Sequence, residues 1–162
     1  MLSEIKKISS LLLSVAFSSI GFIASITVTV LAAREVSSNP LFVGFPNAVG
    51  VGGAVLGTRM IYLISKNNSQ LNALAFTFLI GAFGGAIMFY SLIVDSFVML
   101  LFGAFILGIG QSATLQTRYA ASFVASEKFK ATALSLAVWF SVFGSVFGPR
   151  MVGSYSNFFE NI

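Results

Sequence analysis

The stretch LNALAFTFLIGAFGGAIMFYSLI (Leu71–Ile93) carries no charged residue from end to end. A helix needs roughly 20 apolar residues to cross about 30 Å of hydrocarbon at 1.5 Å rise per residue. This run is long enough, and it is not alone. LFVGFPNAVGVGGAVLGTRMIYLI (Leu41–Ile64) precedes it and Phe97–Gln116 follows, with Leu11–Ala32 and Ala131–Val152 further out. Short polar loops separate the five blocks. In lipid only a helix or a closed barrel satisfies its own backbone hydrogen bonds. Barrel strands are about ten residues long with alternating polarity, and these blocks are too long and too evenly apolar for that. The expected fold class is all-α integral membrane: a bundle of five transmembrane helices, with residues 1–162 as a single membrane domain.

Composition agrees. Hydrophobic residues make up 57% of the chain and charged residues 9%, with a mean hydropathy of +0.95; soluble domains carry nearer 25% charged residues. The first block is longer than the apolar core of a cleavable signal, and four more follow it, so it reads as a span. Cysteine and histidine are both absent. That removes disulfides, thiolate chemistry, the commonest metal ligand and the usual near-neutral proton shuttle. No metal and no cofactor are expected. GVGGAVLG (Gly50–Gly57) echoes a nucleotide-binding loop, but it lies inside an apolar span and lacks the phosphate-loop lysine. No enzyme signature is present.

The net charge of +4 does not point to nucleic acid, because the basic residues sit in loops beside apolar spans. Lys6, Lys7, Arg59, Lys66, Arg118, Lys128 and Lys130 fall on one side, and Arg34 and Arg150 on the other. By the positive-inside rule the seven mark the cytoplasmic side. The N-terminus, the second–third loop and the fourth–fifth loop are then cytoplasmic, and the C-terminus is outside. Arg59 lies about a turn inside the second span and is expected to snorkel to the headgroups. The membrane is expected to be the bacterial inner (plasma) membrane, with the lipid bilayer as a partner.

Small residues mark where membrane helices approach closely. Pro46, Gly50, Gly53 and Gly57 share one face of the second span. Gly81, Gly84 and Gly85 lie on the third, Gly103 and Gly110 on the fourth, and Ala133, Ala137, Ser141, Gly144 and Gly148 on the fifth. The first span instead carries Ser14, Ser18, Gly21, Ser25 and Thr29 at steps of four, three, four and four. This stripe has two readings: a wall of a water-filled substrate cavity, or hydroxyls bonded to their own helix backbone or a neighbouring helix. Gln111, Thr114 and Arg118 share one face at the end of the fourth span. Arg118 reads as either a functional residue or a headgroup anchor, and Gln111 as a cavity residue or an interhelical hydrogen bond. Asn47 is a further cavity candidate. So is Trp139, for which packing inside the fifth helix is the alternative.

The run GIGQSATLQTRYAASFVASEKFKATALSLAVWFSVFGSVFGP (Gly108–Pro149) resembles bacterial transporters of the major facilitator superfamily. Many members end the fourth helix in Gln-x-Arg-Tyr/Phe-Ala-Ala, matched by Gln116, Arg118, Tyr119, Ala120 and Ala121. A basic loop and a fifth helix ending in Gly-Pro follow, matched by Gly144, Gly148 and Pro149. The resemblance extends over most of Leu11–Gly153, in the order of that family's N-terminal half. It departs at the second–third loop, where Gly57 and Lys66 remain of a Gly-x-x-x-Asp-Arg-x-Gly-Arg-Arg pattern. It departs again at Val152, where exporters often have glycine. The resemblance implies transmembrane transport of a small molecule by a permease, with gating residues among those matched positions.

The family has twelve spans, and five are read here, so the sixth helix and the C-terminal half are expected to be absent. The chain is expected to be truncated or split and inactive alone, with a second polypeptide supplying the missing helices. The alternative is a small five-helix protein with a structural or assembly role. All five carboxylates, Glu4, Glu35, Asp95, Glu127 and Glu160, lie in loops or at span ends. A proton relay would then use Glu35 or a group outside this set of helices.

Overall fold

A computed structural model describes residues 2–37, 39–124, 130–132, 134–139, 141–142 and 146, with side chains described for 13–37, 39–117, 119 and the helical positions beyond 129. The described residues are helical almost throughout. Helix α1 spans Leu2–Val36, a 3-10 turn spans Pro40–Phe42, and α2 (Phe45–Asn67), α3 (Gln70–Ile93) and α4 (Phe97–Val124) follow. Segments within α1, within the turn plus α2, in α3 and within α4 are each long and apolar enough to cross a membrane. A fifth helix is described at 130–132, 134–139, 141–142 and 146. The remainder of the expected Ala131–Val152 span lies outside the described residues. The chain is an all-α membrane-type bundle, as its sequence predicts.

Helix ends follow local chemistry. The apolar run from Leu41 does not start α2, because Pro40 and Asn39 first make a separate turn. Asn39 Oδ1 accepts from Leu41 N at 3.0 Å and Val43 N donates to Pro40 O. Gly44 then precedes Phe45–Pro46, and proline is suited to a first helical turn because its missing N–H has no partner there. At the α3–α4 corner Asp95 takes φ 52°, a left-handed conformation that glycine adopts more cheaply. Around it Val94 N donates to Tyr90 O at 3.2 Å and Ser96 N to Ser91 O at 3.0 Å, which closes α3. Ser96 Oγ accepts from Met99 N at 3.4 Å and so caps the start of α4.

The chain divides into two compact units, Val28–Ala113 and the pair of segments Met1–Thr27 and Thr114–Ile162. In the first unit, α4 is held between α2 and α3. A methyl group on Gly50 would lie 3.3 Å from Ala104 O. One on Gly53 would run into the Phe105 carbonyl, and one on Gly57 into Ser112 Oγ and Ile109 O. On the other flank, a methyl on Gly81 would lie 2.7 Å from Gly110 Cα, one on Gly103 2.8 Å from Met88 N, and one on Gly84 would overlap Leu107 N. Glycine is required on both flanks because backbone lies against backbone. The faces expected from Pro46, Gly50, Gly53, Gly57, Gly81 and Gly84 are the buried ones. At one end a cluster of Ala32, Ala33, Met88, Leu100 and Ala104 closes the core. Phe42 stands edge-on to Phe45 and Phe97 beside it.

In the other unit Val15, Ser19, Thr114, Thr117 and Ala137 are buried. Leu13, Phe17, Tyr119, Leu136, Val138 and Val142 are exposed, as suits a lipid-facing surface.

Candidate functional site

The hydroxyl stripe of α1 is the first candidate. Ser18 Oγ donates to Val15 O at 3.1 Å and Ser25 Oγ to Phe22 O at 2.7 Å, both half-buried. Thr27, beside the stripe, donates to Ile23 O at 3.3 Å. A bond to the previous turn removes most of the cost of placing a hydroxyl in lipid. Ser14 is exposed and Thr29 is buried.

On α4, Gln111 is half-buried, Thr114 buried and Gln116 half-buried. Tyr119 is exposed, and Arg118 lies in the helix with its side chain outside the described set. Asn47 is half-buried in the first turn of α2. Gly57 is buried against Ser112 and Ile109, so its present role is contact with α4. Trp139 is 66% exposed. Gly144, Gly148 and Pro149 lie outside the described residues.

Other buried polar residues escaped the sequence reading. Thr77 donates to Ala73 O at 2.7 Å, Ser91 to Met88 O at 2.6 Å and Ser112 to Ile109 O at 2.7 Å. Ser19 Oγ is buried with no hydrogen-bond partner among the described residues. Periodicity was the available signal for two of these: Thr77 and Ser91 continue the face of Gly81, Gly84 and Met88 at steps of four, three, four and three. Among the described residues no three His, Cys, Asp or Glu side chains gather as metal ligands. Glu35 and Asp95 are exposed. Apart from Arg118, the polar candidates among the described residues are neutral hydroxyls and amides that can hydrogen-bond a solute.

Long apolar helices, notched by glycine within Val28–Ala113, define a polytopic membrane protein. The curated proteins that the chain resembles carry transporter names, two of them as uncharacterized. The chain is 31% identical over 157 residues to the MFS-type transporter YddS of Bacillus subtilis, covering 97% of this chain and 36% of that protein. It is 30% identical over 146 residues to YdeG of the same organism, covering 90% of this chain and 34% of that one. The riboflavin transporter RfnT of Brucella anthropi is 27% identical over 122 residues, covering 75% of this chain and 31% of that protein. The similarity to the major facilitator superfamily, read above from Gly108–Pro149, thus extends along nearly the whole chain. The chain spans about a third of the length of the curated relatives it matches. No family model and no solved structure matches it.

Proposed function

We propose that this chain contributes the helices of one part of an MFS-type secondary transporter that moves a small molecule across the bacterial inner membrane. The observation that carries this reading is the 31% identity to YddS along 97% of the chain. Residues 1–162 act as one membrane domain, and the remaining helices of the working transporter come from further polypeptide. In such carriers the solute binds near the midplane between two repeats, which rock about it. Ser14, Ser18, Ser25, Thr29, Asn47, Gln111, Thr114 and Trp139 are the solute-contacting candidates. Gly57, Gln116, Arg118, Tyr119, Gly144, Gly148 and Pro149 are the gating candidates.

The test is flux into proteoliposomes, with riboflavin among the solutes because one relative carries that name. Flux is expected when the chain is joined to, or co-assembled with, the rest of a carrier, and not from the 162 residues alone. Robust flux by the isolated chain would overturn the need for further helices. No flux from any complete assembly would overturn the transport reading. If Glu35 couples protons to that flux, Glu35→Gln abolishes the coupling; intact coupling assigns the relay to other helices.

The proposed orientation puts the N-terminus, the α2–α3 turn and the α4–fifth-helix loop in the cytoplasm. The chain has no cysteine, so labelling has no background. An impermeant maleimide added to whole cells should modify Val94→Cys and spare Asn68→Cys. The reverse pattern would invert the topology.

A further inference from the structure

Ser19 is 1% exposed, and among the described residues its Oγ has no hydrogen-bond partner. Buried serines elsewhere meet this need within their own helix. Ser91 Oγ donates to Met88 O at 2.6 Å and Ser112 Oγ to Ile109 O at 2.7 Å, each three residues back. Ser19 has less choice. Four residues back, Val15 O already accepts from Ser18 Oγ at 3.1 Å. The helix ladder gives the same carbonyl the Ser19 N–H. A carbonyl oxygen has two lone pairs, so Val15 O is fully used. The remaining local acceptor is Ala16 O, and Ser19 Oγ does not bond it.

The burial comes from this chain's own residues. Ser19 belongs to the unit formed by Met1–Thr27 and Thr114–Ile162, in which Val15, Thr114, Thr117 and Ala137 are buried as well. Further helices packed around the chain would bury Ser19 more, not less. A rearrangement inside the unit is what lets a partner in. A buried hydroxyl without a partner carries its full desolvation cost, and a hydrated one does not.

We infer that the packing of this unit is a closed form poised to open to water at Ser19, and that the Ser19 hydroxyl biases it toward opening. Once wetted, the hydroxyl both donates and accepts. The neighbouring pair sets the bias, because Ser18 holds the carbonyl that would otherwise satisfy Ser19. The device depends neither on the solute carried nor on which side of the membrane is cytoplasmic.

The test uses the full chain in dodecylmaltoside micelles. It has no cysteine, so Ala137→Cys, at a buried position of the same unit, reports opening to a water-soluble methanethiosulfonate reagent. Adding Ser19→Ala should slow that labelling about tenfold, toward the low end of the effect of an unpaired buried hydroxyl. It should also raise Tm by a few degrees. Ser91→Ala removes a bonded hydroxyl from the other unit; it should lower Tm and leave labelling unchanged. In a Ser18→Ala background Val15 O is free for Ser19, and Ser19→Ala should then change labelling by less than about twofold. If Ala137→Cys does not fold, hydrogen exchange over residues 13–27 replaces the labelling, with the same expected slowing. No change in labelling or Tm would mean that the hydroxyl rests on Ala16 O, and would overturn the inference. A raised Tm with unchanged labelling would overturn the opening. A tenfold slowing that persists without the Ser18 hydroxyl would overturn the role of the pair.

Discussion

Gly21 in α1 and Gly53 in α2 belong to two small-residue stripes of similar spacing, yet they meet different surroundings. A methyl group on Gly21 finds nothing within 4 Å. The same group on Gly53 runs into the Phe105 carbonyl. Around Gly53 the small residues exist so that α4 can lie against α2 backbone to backbone. Around Gly21 the neighbours in the stripe are serines whose hydroxyls bond their own helix. Spacing alone therefore does not distinguish a packing face from a polar one; what fills the space opposite decides.

The largest expected effect tests the packed stripe. Gly53→Leu forces a side chain into the α4 backbone and should cost about 3 kcal/mol or more, since overpacking of close contacts costs about 1–3 kcal/mol even where neighbours can yield. Denaturation in mixed micelles and size-exclusion chromatography would register it as lost stability and lost monodispersity. Gly21→Ala should stay within about 1 kcal/mol of wild type. Equal damage at the two glycines would break the comparison. Between these falls Asp95→Gly at the α3–α4 corner. Relief of the left-handed backbone should raise stability by roughly 0.5–1 kcal/mol, read as a higher Tm. A fall in Tm would mean that the Asp95 side chain matters more than its φ. Smallest is Ser25→Ala, expected to cost about 0.6 kcal/mol, the average for membrane side-chain hydrogen bonds. If instead flux through an assembled carrier drops tenfold with Tm unchanged, the α1 hydroxyls meet solute.

Much of this was legible in the residues. Unbroken apolar length fixed the helices, because lipid leaves a chain few other ways to satisfy its backbone. Glycine periodicity marked the buried faces of α2 and α3. Boundaries were less visible. Helix α1 begins at Leu2, nine residues ahead of its apolar block, because nothing in SEIKKISS breaks a helix and hydropathy does not register a polar turn. The Leu41 edge of the second block falls within the span Pro40–Asn67, but apolarity does not reveal that Asn39 and Pro40 form their own turn ahead of α2. Partner choice was hidden as well. Period shows which face of α2 is small, whereas its opposition to Ala104, Phe105, Gly108 and Ile109 is a tertiary fact. Trp139 reads in sequence as either a cavity wall or a packed ring, and the structure leaves it 66% exposed. The candidate site was legible only as residue types, because a hydroxyl in a helix looks the same in sequence whether it meets its own turn or a solute.

The glycine contacts on α4 also limit how this part of the molecule can deform. Gly50, Gly53 and Gly57 notch it on one flank, and Gly81 and Gly84 on the other. Sliding α4 lengthwise by a single residue would drive Phe105 or Leu107 out of its notch and wedge the neighbours apart. Axial slip is therefore blocked, and within Val28–Ala113 the helices α2 and α3 and α4 up to Ala113 are left to tilt together like the staves of one paddle.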